Sequence, residues 1–286
     1  MAMLQNQELL IPSAFGRDMS ADLTYTVGSR VLAIYAHGIS GFKDWGGMRL
    51  IAEQFAGRGI AFLKFNFSHN GTTLDDPSAF SDLEAYGQDN YSIRQSDLKA
   101  VFNFIHAGGI PLDPQSIVLI GHSRGGVDSM IYAYEHDHID ALITWSAPHE
   151  ANTPWSKWDA DRLRDWKENG VTYLLNGRTK QQMPLYYQLF EDVASNSVRY
   201  DVVNQVARIE VPWLILHGDQ DEAVAPKSAE ILKGASKQAK LEWVKDTGHT
   251  FGRSHPWQEN TLPTASFELC EQSIQFILKA LTTSEA

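Results

Sequence analysis

The feature that constrains this chain most is a serine set between glycines at the end of an apolar run. Residues 116–120 (Ser-Ile-Val-Leu-Ile) lead without a break into Gly121-His122-Ser123-Arg124-Gly125. Beyond it, Val127, Met130, Ile131 and Tyr134 stand at i, i+3, i+4 and i+7, one face of a helix. G-x-S-x-G between a strand and a helix is the pattern of a nucleophile elbow. The turn is so tight that the residues two before and two after the serine must lack side chains. Gly121 and Gly125 satisfy that requirement, and Gly126 eases packing of the following helix. The serine hydroxyl is thereby lifted to the C-terminal edge of the sheet, where ligands of open α/β sheets bind. A glycine-rich phosphate turn is the rival reading, but the Lys-Ser/Thr pair of a P-loop is missing.

The surrounding pattern is short apolar strands alternating with helical stretches, which predicts an α/β fold with a mostly parallel sheet and helices on both faces. Residues 31–36 (VLAIYA) read as a strand buried on both sides. Residues 44–58 read as helix, 60–67 as strand, 91–107 as helix and 141–145 as strand. Residues 9–12 and 23–27 are weaker strand candidates, an opening antiparallel hairpin. The alternation returns with a strand at 213–216, a helix near 226–232 and a strand at 241–244. A C-terminal helix carries Phe267, Cys270, Ile274, Ile277 and Leu281 along one face. Between 148 and 210 the chain is polar, aromatic and irregular, with Trp155, Trp158, Trp166, Tyr173, Tyr186, Tyr187 and Phe190. Asn176-Gly177 predicts a type I′ hairpin turn there. The expected organisation is one core domain, 1–147 and 211–286, interrupted by a cap insertion, 148–210. Inserts of this length inside a compact domain usually have a function, such as covering a binding site. Its aromatics suit an apolar acyl or aryl pocket and suit equally a small core that holds the insert together.

Composition narrows the function classes. At 286 residues the chain buries enough apolar surface to fold without a disulfide or metal staple. A formal net charge of −11 and the lack of a basic stripe argue against nucleic acid and against membrane surfaces as partners. No run approaches the roughly 18 to 20 apolar residues of a membrane span. Residues 1–7 carry neither the positive n-region nor the apolar h-region of a secretory signal. The single cysteine, Cys270, cannot form an internal disulfide, so a reducing compartment, the cytoplasm, is expected. Nothing in the sequence speaks to oligomeric state.

A serine nucleophile needs a base, and the base needs an orienting acid. In elbow enzymes the chain order is serine, acid, histidine. Residues 213–216 run into His217-Gly218-Asp219-Gln220-Asp221-Glu222, and 241–244 are followed by Asp246-Thr247-Gly248-His249-Thr250-Phe251-Gly252. Both segments sit just past C-terminal strand ends, on the edge that carries Ser123. Asp221 is therefore assigned as the acid and His249 as the base. Asp219 is the main rival acid and better suits a turn cap; Glu222 is a weaker third. His255 rivals His249 but precedes Pro256 and lies farther from the strand end. An oxyanion hole requires two preorganised amides. One is expected at Arg124, which follows the nucleophile. The other is expected at Ile39 in His37-Gly38-Ile39-Ser40-Gly41, where Gly38 allows close backbone approach. His37 is read as a structural histidine orienting that loop. Ser40 lacks an elbow and a following helix. His136-Asp137-His138 reads as a solvated turn rather than a metal cluster. Residues 65–71 are read as either pocket floor or turn.

Taken together, Gly121-His122-Ser123-Arg124-Gly125, His37-Gly38, His217-Gly218-Asp219-Gln220-Asp221 and Gly248-His249 resemble the α/β-hydrolase superfamily, in order and spacing, from about Val31 to the C-terminus. The form of residues 37–45, of Phe65-Asn66-Phe67-Ser68 and of 248–252 is similar to bacterial proteins of the dienelactone-hydrolase and prolyl-oligopeptidase-like branch, near which the cinnamoyl and feruloyl esterases sit. Two departures matter. Dienelactone hydrolases proper use a cysteine nucleophile, whereas position 123 is serine. Prolyl oligopeptidases carry a β-propeller, for which this chain has no room.

These readings converge on a serine hydrolase of a small carboxylic ester, working through an acyl-enzyme with no metal or organic cofactor. An aminopeptidase or amidase is the runner-up and would need acids of the insert, such as Glu150 or Glu191, for an amino terminus. Acyl transfer to a second alcohol and a non-catalytic binding protein on the same scaffold are further alternatives. Arg178, Lys180, Gln181 and Gln182 follow the Asn-Gly pair. If Arg178 or Arg124, which flanks the serine, points into the pocket, an acidic or carboxylate-bearing substrate becomes an option; a solvated hairpin is the alternative explanation for the insert charges.

Overall fold

The computed structural model describes residues 3–282. The chain opens with β1 (Leu4–Ile11) and β2 (Met19–Thr26), an antiparallel pair with Leu4 opposite Thr26. There follow β3 (Val31–Ala36), α1 (Met48–Gly57), β4 (Ile60–Phe65), α2 (Leu83–Gln88), α3 (Tyr91–His106), β5 (Ser116–His122), α4 (Arg124–Glu135) and β6 (Ala141–Trp145). A 3₁₀ turn (Trp155–Lys157), α5 (Ala160–Asn169), a separate hairpin of β7 (Val171–Leu175) and β8 (Gln182–Tyr186), α6 (Gln188–Ser195) and α7 (Val202–Gln205) come next. β9 (Trp213–Gly218), α8 (Lys227–Ala235), β10 (Ala239–Val244) and α9 (Thr264–Thr282) complete the described chain.

The main sheet runs β1-β2-β4-β3-β5-β6-β9-β10. β2 joins β4 antiparallel, and the strands from β4 to β10 are parallel neighbours. From β3 the chain moves one way to β4, then crosses back to β5 on the other side. The crevice beyond the C-terminal ends of β3 and β5 is thus the topological switch point, where open α/β sheets bind ligands.

Period-2 alternation sends successive strand residues to two cores. Leu32, Ile34 and Ala36 pack with Leu98, Phe102, Val127 and Met130 of α3 and α4. Ala33 and Tyr35 pack with Ile51 and Phe55 of α1 and Ile274 and Ile277 of α9. β5 divides the same way, Leu119 into the first core and Ile120 into the second; each fully buried Leu, Ile or Phe contributes about 1.5–3 kcal/mol, so both faces anchor β3 and β5.

Several expectations need correction. The first helix starts at Met48, not 44, because Gly46 and Gly47 take φ of 62° and 80° and turn the chain first. The six-residue α2 is too short to show an apolar periodicity; Asp82 caps it by accepting from the Ala85 amide at 2.9 Å. The segment 148–210 is not irregular. Its α5 is polar almost all round, which hides it from an apolar-face criterion, but Asp159 caps its start and Gly170, at φ 71°, ends it. Asn176-Gly177 does not form a two-residue turn. The loop 176–181 joins β7 to β8, Asn176 Oδ1 accepts from the amides of Arg178 and Thr179, and Lys180 takes the positive φ, 60°. On α9, Phe267 is 48% exposed; Leu269, Cys270, Ile274 and Ile277 form the buried stripe.

The aromatics between 148 and 210 pack mainly on one another. Trp166 is buried, with ring centroids 5.6 Å from Trp155, 5.3 Å from Trp158 and 5.3 Å from Tyr187. Its indole N–H donates to the Leu185 carbonyl at 2.7 Å.

Candidate active site

Ser123 stands between β5 and α4 with φ 55° and ψ −127°, a strained backbone for a non-glycine residue. The neighbouring glycines explain how it fits. A Cβ on Gly121 would lie 2.2 Å from the Gly125 carbonyl oxygen, and a Cβ on Gly125 2.2 Å from that of Ala36. At Gly126 it would meet the Ala147 Cβ at 2.4 Å. The loop after β3 crosses directly over the serine, since a Cβ on Gly38 would lie 2.8 Å from Ser123 Cβ and 3.3 Å from its Oγ. Among the described residues, neither the Ile39 nor the Arg124 amide donates to a protein acceptor.

His37 holds that loop. Its Nδ1–H donates to the Gly38 carbonyl at 2.9 Å, and its Nε2 accepts from the Phe67 amide and the Asn70 side chain, each at 3.4 Å. Burial first, then the charge of Arg94, pushes the imidazole down to about 3, so it stays neutral. Arg94, unremarked in the sequence, donates to the His37 carbonyl at 2.6 Å and to Asp128 at 2.7 Å.

Asp221 and His249 come together from the ends of β9 and β10. His249 Nδ1 lies 2.8 Å from Asp221 Oδ2. The other oxygen, Oδ1, accepts from the amides of Ala223 and Val224, each at 2.9 Å. The carboxylate is wholly buried, whereas the His249 ring is partly open. Burial opposes the charge on Asp221, but the His249 hydrogen bond and the Val224 amide outweigh it and hold the carboxyl below its usual range. His217 packs behind, 3.4 Å from Asp221, and donates from Nε2 to the Val224 carbonyl.

His122 is a further site residue that sequence reasoning passed over. Its Nε2–H donates to the His249 carbonyl at 2.9 Å, linking the elbow to the histidine loop. Its position inside the G-x-S-x-G pattern was the available signal.

Ser123 and His249 line one cleft of about 500 Å³ with Gly38, Ile39 and Ser40. Its walls include Phe42, Trp45, Pro154, Leu175, Val224 and, from the loop 176–181, Arg178. The rival residues lie otherwise. Asp219 faces Lys245 at 3.6 Å, and Glu222 is exposed. His255 accepts from the Gly46 amide and packs against Phe42 and Trp45. Ser40 Oγ pairs with the Tyr86 hydroxyl at 2.7 Å. The Arg124 side chain turns away into the core, 3.1 Å from Asp89 and over the Tyr91 ring. Glu150 and Glu191 are not among the lining residues. Among the described residues, no group of three or more His, Cys, Asp or Glu could hold a metal ion, and no helix is long and apolar enough to cross a membrane.

The sequence profile of the Alpha/beta hydrolase family matches residues 33–259. Monoacylglycerol lipase abhd6-A of Xenopus laevis is 22% identical over 270 residues, 83% of this chain and 75% of the relative. Est1E from Butyrivibrio proteoclasticus, in a structure with ferulic acid bound, superposes with a TM-score of 0.71 at 20% identity over 96% of this chain and 99% of that one. A dienelactone hydrolase from Anabaena variabilis superposes with a TM-score of 0.62 at 13% identity, over 96% and 98% of the two chains. These are neighbours of the kind the motif resemblance points to, and at these identities the structural likeness is one of fold.

Proposed function

The chain belongs to the alpha/beta hydrolase family, and we propose that it cleaves a small carboxylic ester through Ser123, His249 and Asp221. The observation that carries this reading is the 2.8 Å contact between His249 Nδ1 and the buried Asp221 carboxylate, on the wall of the cleft that also holds Ser123. With Nδ1–H engaged by Asp221, the ring presents Nε2 as the free base.

In the proposed reaction Ser123 Oγ attacks the ester carbonyl as His249 Nε2 takes its proton. Asp221 keeps the ring in that tautomer and stabilises the imidazolium. The Ile39 and Arg124 amides donate to the oxyanion, a contribution of about 2.7–4 kcal/mol per donor in comparable sites. His249 then protonates the departing alcohol, leaving an acyl-enzyme. Water, deprotonated by His249, attacks the acyl carbonyl; Ser123 leaves with the proton and the acid is released. None of these steps calls for a metal or organic cofactor.

Residues 148–210 are read as a cap on the core formed by 1–147 and 211–286, because Thr153, Pro154 and Leu175 to Arg178 form one side of the cleft. The name of the curated relative, monoacylglycerol lipase, favours an ester over an amide. The aminopeptidase reading has weaker support, since the cleft lining includes no Asp or Glu to receive an amino terminus. The lone buried Cys270 fits a reducing compartment.

Rapid-mixing hydrolysis of 4-nitrophenyl acetate, with a matched aminoacyl 4-nitroanilide alongside, tests the proposal. A burst of nitrophenol followed by slower steady turnover is expected, with the anilide much slower. Faster anilide cleavage would overturn the ester assignment. Ester turnover retained in Ser123→Ala would overturn the nucleophile.

A further inference from the structure

One cleft residue has no part in the chemistry described above. Arg178 stands on the wall of the cleft with its guanidinium carbon 5.8 Å from the centroid of the Phe42 ring. Phe42 is fully buried and packs edge-on against Phe80 and His255, so that aromatic platform is fixed. Arg178 is exposed, on a loop held by local hydrogen bonds. Asn176 Oδ1 accepts from the Arg178 amide at 3.0 Å, and the Gln181 side chain donates to the Phe80 carbonyl at 3.0 Å.

Arg17, Arg58, Arg94, Arg124 and Arg199 each hold a carboxylate of the protein. Arg178 has no carboxylate partner among the described residues, and the cleft lining includes no Asp or Glu. Among the described residues Arg30, Arg162, Arg208 and Arg253 also lack a carboxylate; Arg30 bonds Gln115, Arg208 bonds Gln205, Arg253 bonds the Thr250 carbonyl and Arg162 lies over Trp158, whereas Arg178 stands on the cleft wall. Asp44, whose charge reaches the same wall, is engaged by Lys43 and Lys64. An arginine without an acid partner beside an acid-free, largely apolar cleft is placed to receive an anion. The guanidinium fork matches a carboxylate bidentately, and Ile39 and Trp45 line the same cleft.

We propose that Arg178 is a specificity-determining residue that grips an ionised carboxylate on the substrate, so that the preferred substrates are esters carrying a second, anionic group. This rests on the ester-hydrolase reading above for the bond that is cleaved. The carboxylate belongs either to the acyl part or to the alcohol part, and the chemistry of the grip is the same.

The test compares two matched pairs. 4-Nitrophenyl hemiglutarate carries the charge on the acyl side, against 4-nitrophenyl pentanoate. 4-Acetoxybenzoate carries it on the leaving group, against its methyl ester. In the wild-type protein the kcat/KM ratio of charged over neutral partner should be about 10-fold or more for one pair, the size expected of a charge-assisted hydrogen-bonded contact. The pair that responds identifies the side. That ratio should fall to near 1 in Arg178→Ala and below 1 in Arg178→Glu, with Arg178→Lys recovering only part. No preference in either wild-type pair, or a preference that survives Arg178→Ala, overturns the proposal. Calorimetric binding of the same esters to Ser123→Ala, with and without Arg178→Ala, reads the grip without turnover. Failure of the hydrolase reading, seen as no reaction of Ser123 with any ester, is thus separable from failure of the carboxylate grip, seen as equal affinities within both pairs.

Discussion

The Nε2 of His122 lies 2.9 Å from the carbonyl oxygen of His249 and donates to it. The residue before the nucleophile therefore fixes the backbone of the proposed base. Burial, with the charges of His249 and Arg253, keeps the His122 imidazole well below its ordinary range, so it is a neutral donor through Nε2–H. His122→Ala should lower kcat by about 10- to 100-fold with a smaller change in KM, the cost of misplacing a catalytic group. His122→Gln, which can still donate, should recover part of the loss. Equal steady-state constants in His122→Ala and wild type would show that the histidine loop holds itself.

Gly38 and Ser123 make a second coupled pair. A methyl at position 38 would press on Ser123 Cβ at 2.8 Å and force the loop after β3, the proposed oxyanion loop, outward. Gly38→Ala should reduce kcat by about 10²–10³-fold, the range for losing one oxyanion donor. The thermal midpoint should move little, because the loop lies over the cleft rather than in either core. Near-normal kcat in a folded Gly38→Ala protein would exclude the Ile39 amide as a donor.

Asp221→Asn keeps the shape of the acid but presents a neutral group to His249. Turnover should fall by roughly 10²–10⁴-fold through the wrong ring tautomer. Stability carries a sign as well. The folded Asp221 carboxyl sits below its ordinary range, so its stabilisation is present above the unfolded carboxylate pKa and is lost as pH falls through the folded value. Denaturant titrations should show the gap between wild type and Asp221→Asn closing in acid. A gap that widens toward low pH would contradict the assignment.

Asp97 titrates in the opposite direction. It is fully buried under the loop after β4, where the amide and hydroxyl of Ser68 donate to Oδ2, each at 2.8 Å. Burial, outweighing those two bonds, raises its carboxyl to about 7. Between pH ~4 and ~7 the folded protein holds a proton that the unfolded chain has released, so this group makes stability fall as pH rises. Asp97→Asn should flatten that segment of the stability profile and be the more stable protein at pH 8, by on the order of 1–4 kcal/mol. An unchanged slope would place the pH dependence elsewhere.

What the sequence disclosed follows from how local each signal is. The elbow was legible because backbone geometry alone dictates Gly121 and Gly125, with no distant residue involved. Asp221 and His249 were legible as a pair because both follow strands whose apolar runs mark their C-terminal ends, and those ends share one edge of the sheet. The partners that act across the fold were not legible. Arg94 reaches the His37 carbonyl from α3, and no spacing rule connects them. Whether Arg124 points into the pocket was open in the sequence; its side chain is drawn inward by Asp89. The segment 148–210 was the least readable part. Its α5 lacks an apolar stripe and is held by caps and Trp166, while Asn176 spends its side chain on Arg178 and Thr179 in a longer loop.

The most direct measurement is labelling with a fluorophosphonate, followed by mass spectrometry of the modified peptide, in wild type, Ser123→Ala and His249→Ala. Stoichiometric labelling is expected on the peptide containing Ser123, with none in Ser123→Ala and a rate reduced by orders of magnitude in His249→Ala. A label on any other residue of folded wild-type protein, or equal rates with and without His249, would contradict Ser123 as a nucleophile activated by that histidine.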